Sequence, residues 1–467
     1  MSNHPQPDGI EQLDAPDHDS VLRPTDDLYA ETCAGWNLAW TQRPAAVVPA
    51  VSENDVTRAV EYANARGLSV AVQNTGHGVT VPADEHSVLI ATNGLDQVSI
   101  NPQAGTATIG GGASWGPVLA AAQEHGLAPL LGSAPHIGAV GYSLGGGFGW
   151  LARKHGLAVD AVRSLRVVLA DGRTVTASPT EEPELFWAMC GTAGSSLGVV
   201  VEMTVDLAPV ADVYAGNLFY PLDAAAEVFD HYVDWSEEAP VELTSAFNIT
   251  AFPPLDLVPE PLRGNTFVIV RGCYAGAPGD ETGRQLVDQL RTRREPLMDT
   301  WATIPFARQA EISMDPVDPV PAASSGRWLT GLDSTVLRAM LDAVVGGGAP
   351  SPMLFAETRH GGGRTHRENP AVSFGVRDGH RILELVGMIT APGTDAELER
   401  RFESTWQSIR ATLAPLPGYL NFADGHERVR VSHQAFDTAT RERLAAAKQA
   451  YDPRGVFRHG IALSDLG

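Results

Sequence analysis

Cysteine is nearly absent from this chain. There are three in 467 residues, Cys33, Cys190 and Cys273. An odd, widely spaced set builds no disulfide framework and fits a reduced, cytoplasmic compartment. Positive charge is short too: 33 lysines and arginines face 56 aspartates and glutamates, a formal net charge of −23. Such a surface repels nucleic-acid phosphates and anionic lipid, so neither is expected as a partner, and a neutral or cationic small molecule fits better. No apolar run approaches the ~18 residues of a membrane span. Met1 to Asp19 has neither the basic start nor the apolar core of a signal peptide. His360/His366, His433 and His459 lack cysteine or carboxylate partners at ligand spacing, so no metal site is expected.

Glycine, by contrast, is concentrated in one place. Between Gly132 and Trp150, seven of nineteen residues are glycine, three of them consecutive. Glycine loses the most backbone entropy on folding, so this stretch reads as neither helix interior nor ordinary strand. Its density points to backbone approaching a phosphate or a planar ring, or to a tight turn under a lid. The spacing matches neither a P-loop nor a dinucleotide-binding G-x-G-x-x-G.

At this length two or more domains are expected. Residues 1–20 read as a flexible leader, 21–208 as a first domain, 209–414 as a second and 415–467 as a segment returning to the first. In the first, Ala45 to Val51 reads as a strand and Ser52-Glu53-Asn54-Asp55 as a capping signal. The helix it opens carries Val56, Ala59, Val60 and Ala63 on one face and stops at Gly67. Strand Leu68 to Gln73 then runs into Asn74-Thr75-Gly76-His77-Gly78. Strand Thr106 to Gly110 and a helix from Ser114 lead to the glycine stretch. Val162 to Ala170 and Thr174 to Ala177 form a hairpin across Asp171-Gly172. Leu185 to Cys190 is helical, and Val199 to Leu207 a strand. Beyond Pro209, strands (Thr266 to Val270, Met353 to Thr358, Ile382 to Ile389) alternate with helices (Ala224 to Trp235, Glu281 to Leu290, Ser334 to Val345, Asp395 to Leu413). Met314 to Gly326 reads as a long loop and Thr440 to Tyr451 as a last helix. The class is α+β, the second domain an antiparallel sheet flanked by helices.

Several stretches, in order, resemble flavoproteins of the vanillyl-alcohol oxidase fold, in their berberine bridge enzyme-like branch. They are Arg43 to Val48, Asn74 to Gly78, Gly132 to Leu157, Phe186-Trp187-Ala188 with Gly194 to Val200, Tyr419-Leu420-Asn421-Phe422 and Tyr451 to Phe457. The second domain matches loosely, through Glu357 to Gly362. The resemblance implies a two-subdomain FAD-binding domain and a substrate domain. It also implies FAD, its pyrophosphate wrapped by backbone amides of Asn74, Thr75, Gly76, His77, Gly78 and of Gly141 to Gly146. Gly132, Ser133, Ile137, Gly138, Tyr142, Leu144, Gly149, Trp150, Gly198, Val200, Tyr419 and Asn421 complete the implied cofactor contacts. Gln73 stands where relatives often carry arginine, so amide dipoles would hold the phosphates.

His77 matches the family's covalent flavin anchor; a neutral imidazole is nucleophilic, and its ordinary pKa of about 6.5 makes that form available. Ala134 stands where many relatives attach the flavin a second time through cysteine, which leaves His77 as the single link. Tyr142 would place a donor near the flavin N1 edge, or would simply pack its ring, and Ile137 falls where relatives control oxygen access. Phe148 replaces a tyrosine found in plant relatives. Tyr419 is the candidate base; its ordinary pKa of about 10 demands a cationic neighbour, for which Arg359, His360 and Lys448 are candidates. Glu357 is either a second base or a structural carboxylate. The implied function is an FAD-dependent oxidase that takes hydride from an alcohol or amine carbon of a small molecule or natural-product intermediate, with molecular oxygen as acceptor. The alternatives are an oxidative cyclase of secondary metabolism and a non-redox protein keeping FAD as scaffold. A monomer or homodimer is expected.

Overall fold

The computed structural model describes residues 21–466 except 195, 257, 347–350, 376 and 378; the expected leader, 1–20, lies outside them. Three sheets organise the chain. The first is parallel, β1 (Ala46–Pro49), β2 (Ser69–Gln73) and β3 (Ser87–Ala91) in the order β1-β3-β2. Helix Glu53–Arg66 packs on it through Val56, Ala59, Val60 and Ala63. Its capping box is complete: Ser52 accepts from the Asp55 amide while Asp55 accepts from the Ser52 amide, and Gly67 ends it at φ 66°.

The second sheet is antiparallel: β4 (Val98–Asn101), β5 (Thr106–Gly110), β6 (Val162–Leu169), β7 (Thr174–Ala177) and β8 (Gly198–Asp206), ordered β4-β5-β8-β6-β7. The β6–β7 hairpin turns at Gly172, φ 86°. The third sheet contains β9 (Asp212–Pro221), β10 (Leu243–Ala251), β11 (Thr266–Tyr274), β12 (Met298–Asp299), β13 (Ala302–Pro305), β14 (Ala322–Leu329), β15 (Met353–His360), β16 (Arg381–Met388) and β17 (Leu413–Gly418). The order is β12-β9-β11-β10-β15-β16-β14-β17, with β13 also paired to β9.

Strand alternation gives the third sheet two different faces. Phe247, Ile249, Val268, Val270, Ala356, Leu383 and Leu385 pack under helices Ala225–Glu237, Thr282–Arg293, Ser334–Val345 and Thr394–Ser408. The opposite face is polar yet buried, carrying Asn248, Arg271, Glu357 and Arg359. Glu357 accepts from Arg271 Nε and Arg359 Nε, each at 2.6 Å, and from Asn248 Nδ2 at 3.0 Å. The two guanidiniums hold its carboxyl down at about 2, against the burial that opposes ionisation. Arg359 also donates to the Phe148 carbonyl at 3.3 Å, so this sheet is keyed into the glycine stretch.

Four local expectations change. The glycine stretch contains a short helix, Ala139–Leu144. Burial of Ala139, Val140, Tyr142 and Leu144 offsets the ~1 kcal/mol that a glycine such as Gly141 costs a helix. The loop expected to run to Gly326 ends early, because Ala322–Leu329 is strand β14 between β16 and β17. Helix Thr394–Ser408 is shorter than expected, and Leu413 begins strand β17. Ser114 precedes its helix but makes no side-chain cap; its backbone bridges to Gly138 instead. No helix among the described residues is long and apolar enough to cross a membrane.

Removing Glu357 leaves two buried guanidiniums without their counter-charge. Glu357→Ala should therefore cost about 3–5 kcal/mol of stability, measured by urea unfolding; a loss under ~1 kcal/mol would refute a structural role for the triad.

Candidate active site

A cavity of about 370 Å³ lies where the three sheets meet. Its wall is assembled from the 74–78 loop after β2, the glycine stretch, the start of β8, the 315–320 loop, β15–β16 and the 421–428 segment. Asn74, Thr75, Gly76, His77, Gly78, Gly132, Ser133, Ile137, Gly138, Gly141, Tyr142, Leu144, Gly198, Val200 and Asn421 all line it. Gly145, Gly146, Gly149, Trp150 and Tyr419 do not.

Glycine is needed at several of these positions for space. A Cβ on Gly138 would sit 2.8 Å from Asn74 Nδ2, and one on Gly132 2.8 Å from the Tyr142 ring. Gly145 and Gly149 abut Asn421 and the Leu131 carbonyl so closely that they serve packing. Trp150 is fully buried and donates to Ser313 Oγ at 3.2 Å. Gly141 meets nothing within 4 Å, since it faces the cavity.

The wall carries groups left open for a ligand. The amides of Thr75, Gly76, His77 and Gly78 have no acceptor among the described residues. Their carbonyls at Thr75 and Gly76 take the Trp36 and Asn37 amides at 2.8 and 3.3 Å, which fixes the loop. His77 Nε2 and Tyr142 Oη are shielded from solvent and unpartnered among the described residues. Burial and the neighbouring His136 push the His77 pKa down to about 3, so its imidazole is neutral. Asn421 donates to the Tyr142 carbonyl at 2.8 Å, tying the C-terminal segment to the glycine stretch. Gln73 is occupied by Gln42 and points no charge at the cavity. Free amides, an unpartnered imidazole and an unpartnered phenol suit an anionic group joined to a planar ring, so the residues present fit FAD.

Tyr419, the expected base, lies off the cavity wall. It is fully buried, and its hydroxyl accepts the Phe148 amide at 2.9 Å. Its ring is packed among Trp328, Phe374 and Phe422. Burial drives its pKa further above the usual value, despite the Phe148 hydrogen bond and the Arg359 charge. Of the cations considered for it, Lys448 is committed to Ser196, Asp452 and Phe457. Arg359 is held by Glu357 and Phe148.

The cavity instead presents Glu384, which lies inside the strand expected at Ile382 to Ile389 and was not singled out. It stands directly across from Glu357 in the β15–β16 register, with one oxygen 3.8 Å from Arg359 Nη2. Burial raises its pKa to about 8, with Glu357 and Asp315 adding to the shift and Arg359 opposing it. A lone carboxylate in the apolar run Ile382-Leu383-Glu384-Leu385-Val386 was the available signal. His136, Asp315, Asp424 and Arg428 also line the cavity unforeseen. Arg428 donates to the carbonyls of Gly78, Leu420 and Ala423 at 2.7–3.1 Å, and so joins the C-terminal segment to the 74–78 loop.

Comparison with known proteins places this geometry in a family. Residues 44–178 match the FAD binding domain model and 418–462 the berberine and berberine-like model. The chain therefore belongs to the berberine bridge enzyme-like FAD-linked oxidoreductases, and it is an FAD-dependent oxidoreductase. An FAD-linked oxidoreductase of Pyricularia oryzae is 31% identical over 413 residues, 83% of this chain and 77% of the relative. (R)-6-hydroxynicotine oxidase of Paenarthrobacter nicotinovorans is 25% identical over 96% of this chain and 97% of its own length. The solved structure of 6-hydroxy-D-nicotine oxidase from Arthrobacter nicotinovorans superposes with a TM-score of 0.82 at 24% identity, covering 97% of this chain and 99% of that one.

Tyr419→Phe removes the acceptor for the buried Phe148 amide and the hydroxyl's interaction with Asn421. It should lower stability by about 1–3 kcal/mol and leave flavin reduction by substrate within ~3-fold of native, measured anaerobically by rapid mixing. A fall of a hundredfold or more would restore Tyr419 as base.

Proposed function

We propose that this protein is an oxidase that takes hydride from a carbon bearing a hydroxyl or amine, with the flavin attached once, through His77, and dioxygen as acceptor. The observation that carries the reading is Glu384: a carboxylate on the wall of the same cavity as His77, with its pKa raised to about 8. Proton acceptors are most useful when their pKa lies near the working pH.

FAD held here supplies the two-electron acceptor for the hydride. The amides of residues 75–78, Gly138, Gly141, Gly198, Val200 and Asn421 would hold it, and Tyr142 Oη offers a preorganised donor to charge developing on it. Glu384 takes the hydroxyl or amine proton as the C–H bond opens. Arg359 stabilises the carboxylate form that does this, and Glu357 keeps Arg359 in place. The relatives named as nicotine oxidases act on an amine, which supports amines among the substrates. His77, neutral and shielded, is a nucleophile rather than an acid.

Two outcomes test this. Glu384 accepts a proton only when ionised, so the rate of flavin reduction should rise with pH and reach half its maximum near 8. Glu384→Gln should remove that limb and lower the rate by about 10²–10⁴; an unchanged profile would exclude Glu384. Native protein precipitated with acid should stay yellow, and His77→Ala should release its flavin; a colourless native pellet would end the covalent reading.

A further inference from the structure

Trp36, His77 and His136 meet on the cavity wall in an arrangement that substrate oxidation does not require. The Trp36 and His77 rings stack with centroids 4.2 Å apart and planes 16° from parallel. The His136 ring lies 4.9 Å from His77 and 5.7 Å from Trp36. Trp36 is fixed by its Nε1 donating to the Val317 carbonyl at 3.0 Å and by its amide donating to Thr75. Nε2 of each histidine is shielded and lacks a partner among the described residues. Shielded polar atoms are ordinarily paired, and two open ring nitrogens on adjacent rings call for a use.

Attachment of the flavin to His77 creates a demand that this arrangement meets. A neutral imidazole attacks with one nitrogen while the other keeps its proton, so C–N bond formation leaves a cation. Burial and His136 disfavour that cation where His77 sits. The proton must move. The charged and titratable groups facing His136 are His77, from the 74–78 loop, and Asp315, from the 315–320 loop. Asp315 is half-buried, lines the cavity, and has neither hydrogen bond nor ion pair among the described residues. Its charge favours a proton on His136, against the burial that disfavours one. The loop carrying it is braced at both ends, by Arg271 on the Ser313 carbonyl at 2.8 Å and by Asn37 on Ala322 at 3.0 and 3.1 Å.

We propose that His136, backed by the charge of Asp315, is the proton acceptor for covalent flavin attachment at His77. This rests on His77 being the attachment point. In the net reaction one C–H bond of the flavin methyl group and the imidazole N–H are broken, and one C–N bond forms. The two electrons stay on the flavin with one proton until dioxygen takes them as hydrogen peroxide, the second proton returning from solvent. His136 carries the imidazole proton in transit and is regenerated when it releases that proton to solvent.

The test is the rate of attachment. Flavin-free protein is mixed with FAD in air-equilibrated buffer, and the flavin remaining with acid-precipitated protein is followed over time and pH. His136→Phe preserves an aromatic ring without a proton acceptor; it should bind FAD yet attach it at least ~10-fold more slowly. Attachment requires neutral His136, so the native rate should rise with pH. Asp315→Asn removes the charge that favours protonation and should move that rise to lower pH. Native-like attachment in His136→Phe, or an unmoved profile in Asp315→Asn, overturns the proposal. If His136→Phe fails to fold, Asp315→Asn decides by the pH shift alone. A native protein that releases all its flavin to acid instead defeats the His77 reading, and this proposal with it.

Discussion

Glu357 is the carboxylate on which the second half of the site depends. It is fully buried between Arg271 and Arg359, and each arginine has a second task. Arg271 braces the Ile312 and Ser313 carbonyls at the head of the loop that carries Asp315. Arg359 reaches the Phe148 carbonyl and approaches Glu384, its guanidinium lying over the Trp150 and Phe422 rings. One carboxylate thus orients two cations that fix a loop, the glycine stretch and the candidate base. Replacing such a cluster with well-packed apolar residues can be neutral for stability, so its retention makes most sense as positioning.

The same cluster separates two glutamates that are cross-strand neighbours. Glu357 has two guanidiniums and an amide donor, and its carboxyl is held at about 2. Glu384 has one guanidinium at 3.8 Å, faces a second negative charge in Glu357, and sits at about 8. Burial alone would raise both. The number and closeness of the positive partners decide which is a fixed ion and which can exchange a proton. Loss of the Arg359 charge would therefore raise Glu384 further, and loss of the Glu357 charge would lower it.

Much of the first half was legible because its signals are local. The Ser52 to Asp55 capping box, the 3.6-residue spacing of Val56, Ala59, Val60 and Ala63, and the Asp171-Gly172 turn each determine structure within a few residues. The glycine loops were legible because backbone that must come within van der Waals contact of Asn74 or Tyr142 tolerates nothing larger. The short helix Ala139–Leu144 was not, since its stability comes from burial rather than propensity. The contrast between Tyr419 and Glu384 was not legible for a similar reason. Tyr419 and Glu384 are each one polar residue among apolar ones, and only the fold shows that the first points into packed rings and the second lines the cavity.

The two halves of the cavity meet different electrostatic demands. On the FAD-binding side the open groups are uncharged: backbone amides, a neutral imidazole and a phenol. They can meet negative charge without bringing a mobile counter-charge near the reacting atoms, and they need no reorganisation as charge develops. On the side of the third sheet the groups are ionic, but Arg359 and Arg428 are both committed to carboxylates or carbonyls. What remains able to take up a proton is carboxylate: Glu384 and Asp424 deep on the wall and Asp315 on its half-exposed loop. Among the described residues, a cavity built this way offers proton acceptors to whatever enters and no uncommitted arginine or lysine to hold an anion. The proposed amine or alcohol substrates, which lose a proton on oxidation, suit such a wall better than carboxylates or phosphates would, and the proposal accords with the chain's net charge of −23.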